Sequence, residues 1–197
     1  IALMSELMQT QKKADEELKK DVGNISSSAR KLVESMSEII WALNPQNDSL
    51  ENLLAYLREQ TLAYFEPFDI RYSIQFPDEL PFIRLSNEQR RNLFLVAKEA
   101  LNNALKHSGA DTINLSMAYQ NNSIHFYISD NGKGIDESKI KIASNGLRNM
   151  KKRMADVGGT LDLRSAETGC SIHFSLDVAH AKKEGTTTFF TSLKNQS

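Results

Sequence analysis

The 197-residue chain has a single cysteine, no apolar run near the length of a membrane span and no surplus of either charge. Cys170 cannot form an internal disulfide by itself, so a fold stapled by bridges is excluded. Its place in an alternating apolar run reads as a small buried hydrophobe in a reducing compartment, and no chemistry is assigned to it. A spanning helix needs about 20 consecutive apolar residues, and the amino end lacks the basic, apolar and small-residue layout of a signal peptide. The piece therefore reads as soluble. Lys and Arg number 24 against 25 Asp and Glu, which leaves no basic footprint for nucleic acid or an anionic membrane surface. No internal repeat is visible. What the chain does have is 40% apolar residues, enough to bury a core in one or two domains.

The apolar residues fall into periods. Leu3, Met4, Leu7 and Met8 recur at helical spacing among Lys, Glu and Gln, and predict an amphipathic helix to about Lys20. Gly23-Asn24 interrupts that pattern. Leu32, Val33, Met36, Ile39, Ile40 and Leu43 then form a stronger stripe that stops at Asn44-Pro45. The reading is a helical hairpin over residues 1–47. One hairpin cannot bury these stripes, so two chains are expected to complete a four-helix bundle as a homodimer. Because helix is already under way at Ile1, a fragment of a longer protein is expected.

The architecture changes between Asn44 and Ser49. A third helix begins at an Asp48 or Ser49 cap, with Leu50, Leu53, Leu54, Leu57 and Leu62 on one face. Ile70, Tyr72, Ile74 and Phe76 alternate as a strand up to Pro77. Ser86 and Gln89 open a long helix that Gly109 closes. Two alternating runs joined by "QNNS" predict a hairpin, followed by a loop of a dozen or more residues. A helix over about 146–157 and a last hairpin, 161–163 with 172–176, complete the pattern. Alternating strands interleaved with helices predict an α+β domain over 48–178, one mixed sheet covered by helices on one face only. The tail 179–197 shows neither period and is expected to be disordered or loosely packed.

Three stretches carry candidate chemistry. In "YISDNGKGIDES" the strand period puts Asp130 on the inner face with Ile124, Phe126 and Ile128, where a carboxylate needs a donor from protein or ligand. Gly132 and Gly134 remove side-chain bulk beside it, which suits either a plain turn or the close approach of a flat ring. In "KEALNNALKHSG", Glu99, Asn103 and Lys106 lie at i, i+4 and i+7 with Asn102 alongside. That face is either solvated or a meeting point of a carboxylate, an amide able to ligate a hard cation and an ammonium able to meet phosphate. In "SNGLRNMKKRM", Asn145-Gly146 is expected just before a helix whose free N–H groups could seat phosphate oxygens, with Arg148 nearby.

An Asn-bearing helix, a strand ending in DxGxG, a loop, a helix opened by Gly-Leu and a closing hairpin, in that order, resemble the GHKL (Bergerat-type) ATP-binding superfamily of gyrase-type ATPases, MutL and sensor histidine kinases. "EALNNALKHS" is similar to the kinases' N box, "DNGKGI" to their G1 box and "NGLRNMKKRM" to their G2 region. "VESMSEIIWALNPQNDSLENLLAYLRE" resembles the linker of the subfamily that often pairs with LuxR-type response regulators. The resemblance covers roughly residues 1–178. It implies ATP as substrate and Mg²⁺ as cofactor. It has Asp130 receiving the adenine amino group, Gly132 and Gly134 making room for the ring, and Asn103 holding Mg²⁺ with Glu99 acting through water. Lys106 and His107 would lie along the nucleotide, Asn145, Gly146, Leu147 and Arg148 would close over it, and residues 135–145 would form a lid. Ser171 stands for a family Thr that reaches adenine through water.

Such kinases phosphorylate a His on the first bundle helix, for relay to an Asp of a response regulator receiver domain. The histidines here are His107, His125, His173 and His180, none on that helix, so the resemblance implies a chain that binds ATP and does not phosphorylate itself. His125 and His173 alternate to the outer strand face and are expected in solvent. A cytoplasmic location is implied, with membrane attachment through upstream segments alone and no nucleic-acid partner. Two other readings of the same residues are a nucleotide-binding or scaffold module without kinase activity and an ATP hydrolase using Glu99 as base.

Overall fold

The computed structural model describes residues 2–134, 140–166 and 168–178. The chain divides into two compact units, Ile1–Asn47 and Asp48–Ser197.

In the first unit, helix α1 runs unbroken from Ala2 to Leu43. The helical arm is present, but the expected turn at Gly23-Asn24 does not form, and one long helix replaces the hairpin. A mid-helix glycine costs about 1 kcal/mol relative to alanine, yet it removes no hydrogen bond. Leu18, Val22 and Ile25 carry the apolar stripe across it at i, i+4 and i+7. Asn44-Pro45 ends the helix, because proline disfavours helical backbone in the residue before it. Along α1 the side chains of Leu32, Val33, Met36, Ile39, Ile40 and Leu43 are all exposed.

The second unit opens with α2 (Leu50–Phe65), capped by Ser49, whose Oγ accepts from the Asn52 N–H at 3.1 Å. Its buried stripe is Leu50, Leu53, Leu54, Leu57, Thr61 and Phe65. Leu62, expected on that face, is exposed, because at 100° per residue the stripe passes from 57 through 61 to 65. Strand β1 (Arg71–Gln75) follows, then α3 (Asn87–His107), β2 (Thr112–Gln120), β3 (Ser123–Asp130), α4 (Ile140–Asp156), β4 (Thr160–Ala166) and β5 (Gly169–Asp177). Ser86 and Gln89 form the reciprocal capping box at the start of α3, and Gly109, at φ +67°, turns the chain out of that helix. Asn121 and Asn122 both have positive φ, the tight two-residue turn that matches strand twist, so Gln120 pairs with Ser123 and the whole β2–β3 register follows.

The sheet order is β1-β2-β3-β5-β4, with β1 parallel to β2 and every other pair antiparallel. One face carries Ile113, Leu115, Met117, Ile124, Phe126, Ile128, Ile172, Phe174 and Leu176, all buried under α3 and α4. Phe126 and Phe174 stack at 5.0 Å at its centre. Full burial of such a side chain contributes about 1.5–3 kcal/mol, so this face is where the unit's stability concentrates. Helix α2 packs on α3, where the rings of Tyr56 and Phe94 meet at 5.0 Å. On the other face, His125 and His173 do not stand singly in solvent as expected. They are half-buried because they meet one another across β3 and β5.

The added Cβ of a Gly23→Ala variant would meet nothing within 4 Å, so the substitution should stabilise α1 locally by about 1 kcal/mol. Amide exchange around residues 20–27 is then expected to slow roughly fivefold. Faster exchange there would show that the chain turns at the glycine.

Candidate functional site

Asp130 ends β3 on the helix-covered face, half-buried, with Ile113 and Cys170 as its partners on the flanking strands. Its Oδ1 accepts from the Gly132 N–H at 3.0 Å. Among the described residues no other hydrogen bond reaches this carboxylate and no cation pairs with it. The acid is therefore satisfied on one side by main chain and is available on the other.

Ser171 does not share this face. It pairs with Ser129, and direct cross-strand partners point the same way, so Ser171 lies on the outer side of the sheet. The residue beside Asp130 is Cys170, one position earlier, because a shift of one residue reverses the face of a strand. Burial, and then the charge of Asp130, push the Cys170 thiol up to about 11. It stays protonated at neutral pH, a weak hydrogen-bond donor and not a nucleophile. The signal was in the sequence, since Cys170 has the parity of Ile172, Phe174 and Leu176.

The loop after Asp130 is tied down by its own side chains. Asn131 Oδ1 accepts from the N–H groups of Asp111 and Thr112 at 3.2 and 3.1 Å, and its Nδ2 donates to Asp111 Oδ1 at 2.7 Å. That bond, then those of Thr112 and Arg71, hold the Asp111 carboxyl below the usual carboxylate range. The Lys133 N–H donates to the Ser108 carbonyl at 3.0 Å. A Cβ on Gly132 would run into that carbonyl, and one on Gly134, at φ +68°, into the Ala166 carbonyl. The space these glycines leave is thus filled by main chain, from the end of α3 and from the β4–β5 turn. Room for a ring is not what their missing side chains provide; they let the loop press against its supports.

On α3, Glu99 and Asn103 are half-buried, whereas Lys106 and His107 are exposed in the last turn, where positive charge complements the helix dipole. Asn102 accepts from the Tyr64 hydroxyl at 2.7 Å, so the first Asn of the pair anchors α2. Burial and the nearby Glu99 charge raise that hydroxyl above its ordinary value. Nothing in the spacing of α2 pointed to Tyr64, because this bond joins residues 38 apart.

Asn145 and Gly146 lie inside α4, which begins at Ile140. The expectation that they stand just ahead of a helix, offering its free N–H groups, is therefore corrected. Asn and Gly are weak helix formers and favour a boundary, but the amphipathic pattern of α4 carries through them. Gly146 still reaches the site from the side. A Cβ there would fall 2.5 Å from Glu99 Oε1 and 3.8 Å from Asn103 Nδ2, which places the α4 backbone directly over the two polar groups of α3. Leu147 is half-buried and Arg148 exposed, its guanidinium donating to Asn145 Oδ1 at 3.3 Å. Of the expected lid, 135–139 lie outside the described residues and 140–145 belong to α4.

Residues 88–180 match the family described as histidine kinase-, DNA gyrase B- and HSP90-like ATPase. This segment, just under half of the chain, is thus similar to that ATPase family. LiaS, a sensor histidine kinase of Bacillus subtilis (strain 168), is 26% identical over 172 residues, 84% of this chain and 45% of LiaS. LnrJ, another sensor histidine kinase of the same organism, is 27% identical over 177 residues, 89% of this chain and 42% of LnrJ. The chain thus spans less than half the length of these curated relatives. Among solved structures, the histidine kinase AdeS of Acinetobacter baumannii superposes with a TM-score of 0.58 at 14% identity, covering 81% of this chain and 83% of that one. That likeness is one of fold. The family match and the kinase relatives agree in likening residues 88–180 to the ATP-binding catalytic domain of sensor histidine kinases.

In this domain, Gly132→Ala should cost about 1–3 kcal/mol, the usual effect of overpacking, since its Cβ meets backbone that cannot swing aside. Tyr64→Phe should cost about 0.5–1.5 kcal/mol through one hydrogen bond. Urea unfolding measures both, and unchanged midpoints would mean that neither contact holds in solution.

Proposed function

We propose that the chain binds ATP with its adenine amino group on Asp130 and presents the γ-phosphoryl for transfer to a histidine that relays it to an Asp of a response regulator receiver domain. The observation that carries this reading is the half-buried Asp130 carboxylate, which has a main-chain donor and no side-chain partner among the described residues. An exocyclic amine can complete it, whereas leaving such a group unmatched in an apolar surround is costly. Cys170, across the strand from Asp130, takes the place assigned to Ser171 at the adenine edge.

At the phosphate end, Glu99 Oε1 and Asn103 Nδ2 lie under Gly146; a carboxylate beside an amide whose carbonyl oxygen is a hard donor is a pair that suits Mg²⁺. Asn103 would hold the ion and Glu99 would accept from its water. When bound, the ion neutralises charge on the phosphate oxygens. Lys106 and His107, at the end of α3, would lie along the nucleotide, and Asn145, Gly146, Leu147 and Arg148 on α4 would close over it. Transfer itself is in-line attack by an imidazole nitrogen on the γ-phosphorus, with the bond to the bridging oxygen breaking and ADP leaving. The protein's part is positioning and charge neutralisation.

Helix α1 carries no histidine, so the acceptor must come from outside it. The exposed apolar stripe of α1 supports pairing with a second copy, since isolated apolar stripes of this length are normally covered. Among the described residues, no helix is long and apolar enough to cross a membrane.

Titration calorimetry with a non-hydrolysable ATP analogue tests the assignment. Asp130→Asn should abolish binding with or without Mg²⁺, whereas Asn103→Ala should weaken it chiefly when Mg²⁺ is present. Equal loss in both conditions for Asn103→Ala would remove its role toward the metal. Incubated with ATP and Mg²⁺, the chain itself should acquire no phosphohistidine, and label on any of its four histidines would overturn the assignment of the acceptor to another segment.

A further inference from the structure

Two asparagines stand next to each other on α3, and Glu99 has both within reach along the helix, Asn102 at i+3 and Asn103 at i+4. They are used differently. A Cβ on Gly146 would meet Glu99 Oε1 at 2.5 Å and Asn103 Nδ2 at 3.8 Å, so these two groups lie together under α4. Asn102 turns instead to α2, where the Tyr64 hydroxyl donates to its Oδ1 at 2.7 Å. Among the described residues no hydrogen bond reaches the side chain of Glu99 or of Asn103.

Tyr64 is built to hold that amide. It lies half-buried in the last turn of α2, its ring 5.9 Å from that of Phe65 and 6.3 Å from that of Phe68. Phe65 is itself buried and meets Tyr72 of β1 at 5.3 Å. A ring wedged among aromatic neighbours has little freedom left to lose when its hydroxyl makes a bond. Glu99 is near enough for its charge to be felt at that hydroxyl, second to burial. Tyr64, Asn102 and Glu99 therefore share one crevice between α2 and α3.

Released from Tyr64, the Asn102 amide would have a stronger partner one turn back, because a hydrogen bond to a carboxylate is worth more than one between neutral groups. We infer that Tyr64 is a positioning residue of the nucleotide site: by holding Asn102 it keeps that amide off Glu99, and so leaves the carboxylate to the water of a Mg²⁺ ion held by Asn103. This role rests on the binding of ATP and Mg²⁺ proposed above. Tyr64 touches neither of them and acts through a side chain that would otherwise compete. Its effect is confined to the metal-bound state, since the carboxylate reaches the nucleotide through the ion alone.

The test titrates the whole chain calorimetrically with a non-hydrolysable ATP analogue, in millimolar MgCl₂ and again in EDTA. Tyr64→Phe should weaken binding about three- to tenfold with Mg²⁺ and leave it unchanged in EDTA. Asn102→Ala should bind as wild type does. Added to Tyr64→Phe, it should restore the lost affinity, because the competing amide is gone; a mere loosening of α2 would act alike in both conditions and would not be rescued. In the chain without metal or nucleotide, the Glu99 side-chain carboxyl resonance should shift in Tyr64→Phe and return in the double variant. Should Tyr64→Phe fail to fold, Asn102→Ala alone decides: wild-type affinity supports the role, and a Mg²⁺-dependent loss overturns it. Unchanged Mg²⁺-dependent affinity in Tyr64→Phe, or no recovery in the double variant, would overturn the role of Tyr64 alone. A wild-type chain that binds no analogue would overturn the nucleotide assignment and this role together.

Discussion

The antiparallel pairing of β3 with β5 places Asp130 opposite Cys170, and the two-residue period of a strand then decides which chemistry each face of the sheet receives. Ile128 and Ile172, Phe126 and Phe174, and Ile124 and Leu176 continue that pairing inward, so the carboxylate stands at the end of a packed apolar column and inherits its rigidity. The same register turns His125, Tyr127, Ser171 and His173 to the other side. A slip of one residue would bury the imidazoles and expose the acid. The two faces are thus one constraint seen from opposite sides, with stability and site geometry resting on the same side-chain packing.

Support for the acid comes from the main chain as much as from side chains. Gly132 lies against the Ser108 carbonyl and Gly134 against the Ala166 carbonyl, so the loop after β3 rests on the end of α3 and on the β4–β5 turn together. Asn131 adds three hydrogen bonds to the start of β2. Tyr64 does comparable work from α2 through Asn102. This spreads the positioning of one carboxylate and one amide over four elements, and it explains why two adjacent asparagines are tolerated in mid-helix: one faces the site and the other is a fastening.

Much of this was legible in the sequence. Alternation locates β2, β3 and β5, the Ser86 and Gln89 pair marks the start of α3, and the parity of Ile124, Phe126 and Ile128 puts Asp130 on the inner face. The misreadings have local causes. Gly23 looked like a break because glycine is a poor helix former, but Val22 and Ile25 keep the stripe in phase across it. Asn145-Gly146 looked like a helix start for the same reason, and the helix begins a turn and a half earlier. The resemblance sets Ser171 in the place of a family Thr, whereas the alternation of its own strand turns it to the outer face. Contacts between distant residues, Tyr64 with Asn102 and His125 with His173, depend on how elements meet and leave no trace in a local period.

The Asn121-Asn122 turn has a kinetic corollary. It closes a two-residue loop, so β2 and β3 can zip together with little chain entropy to lose. The parallel partnership of β1 with β2 requires all of α3 to be laid down between them, a far longer excursion. Assembly is expected to start at the asparagines and finish at Arg71–Gln75, and the margin formed last, held by one parallel ladder, is where the sheet will first come open.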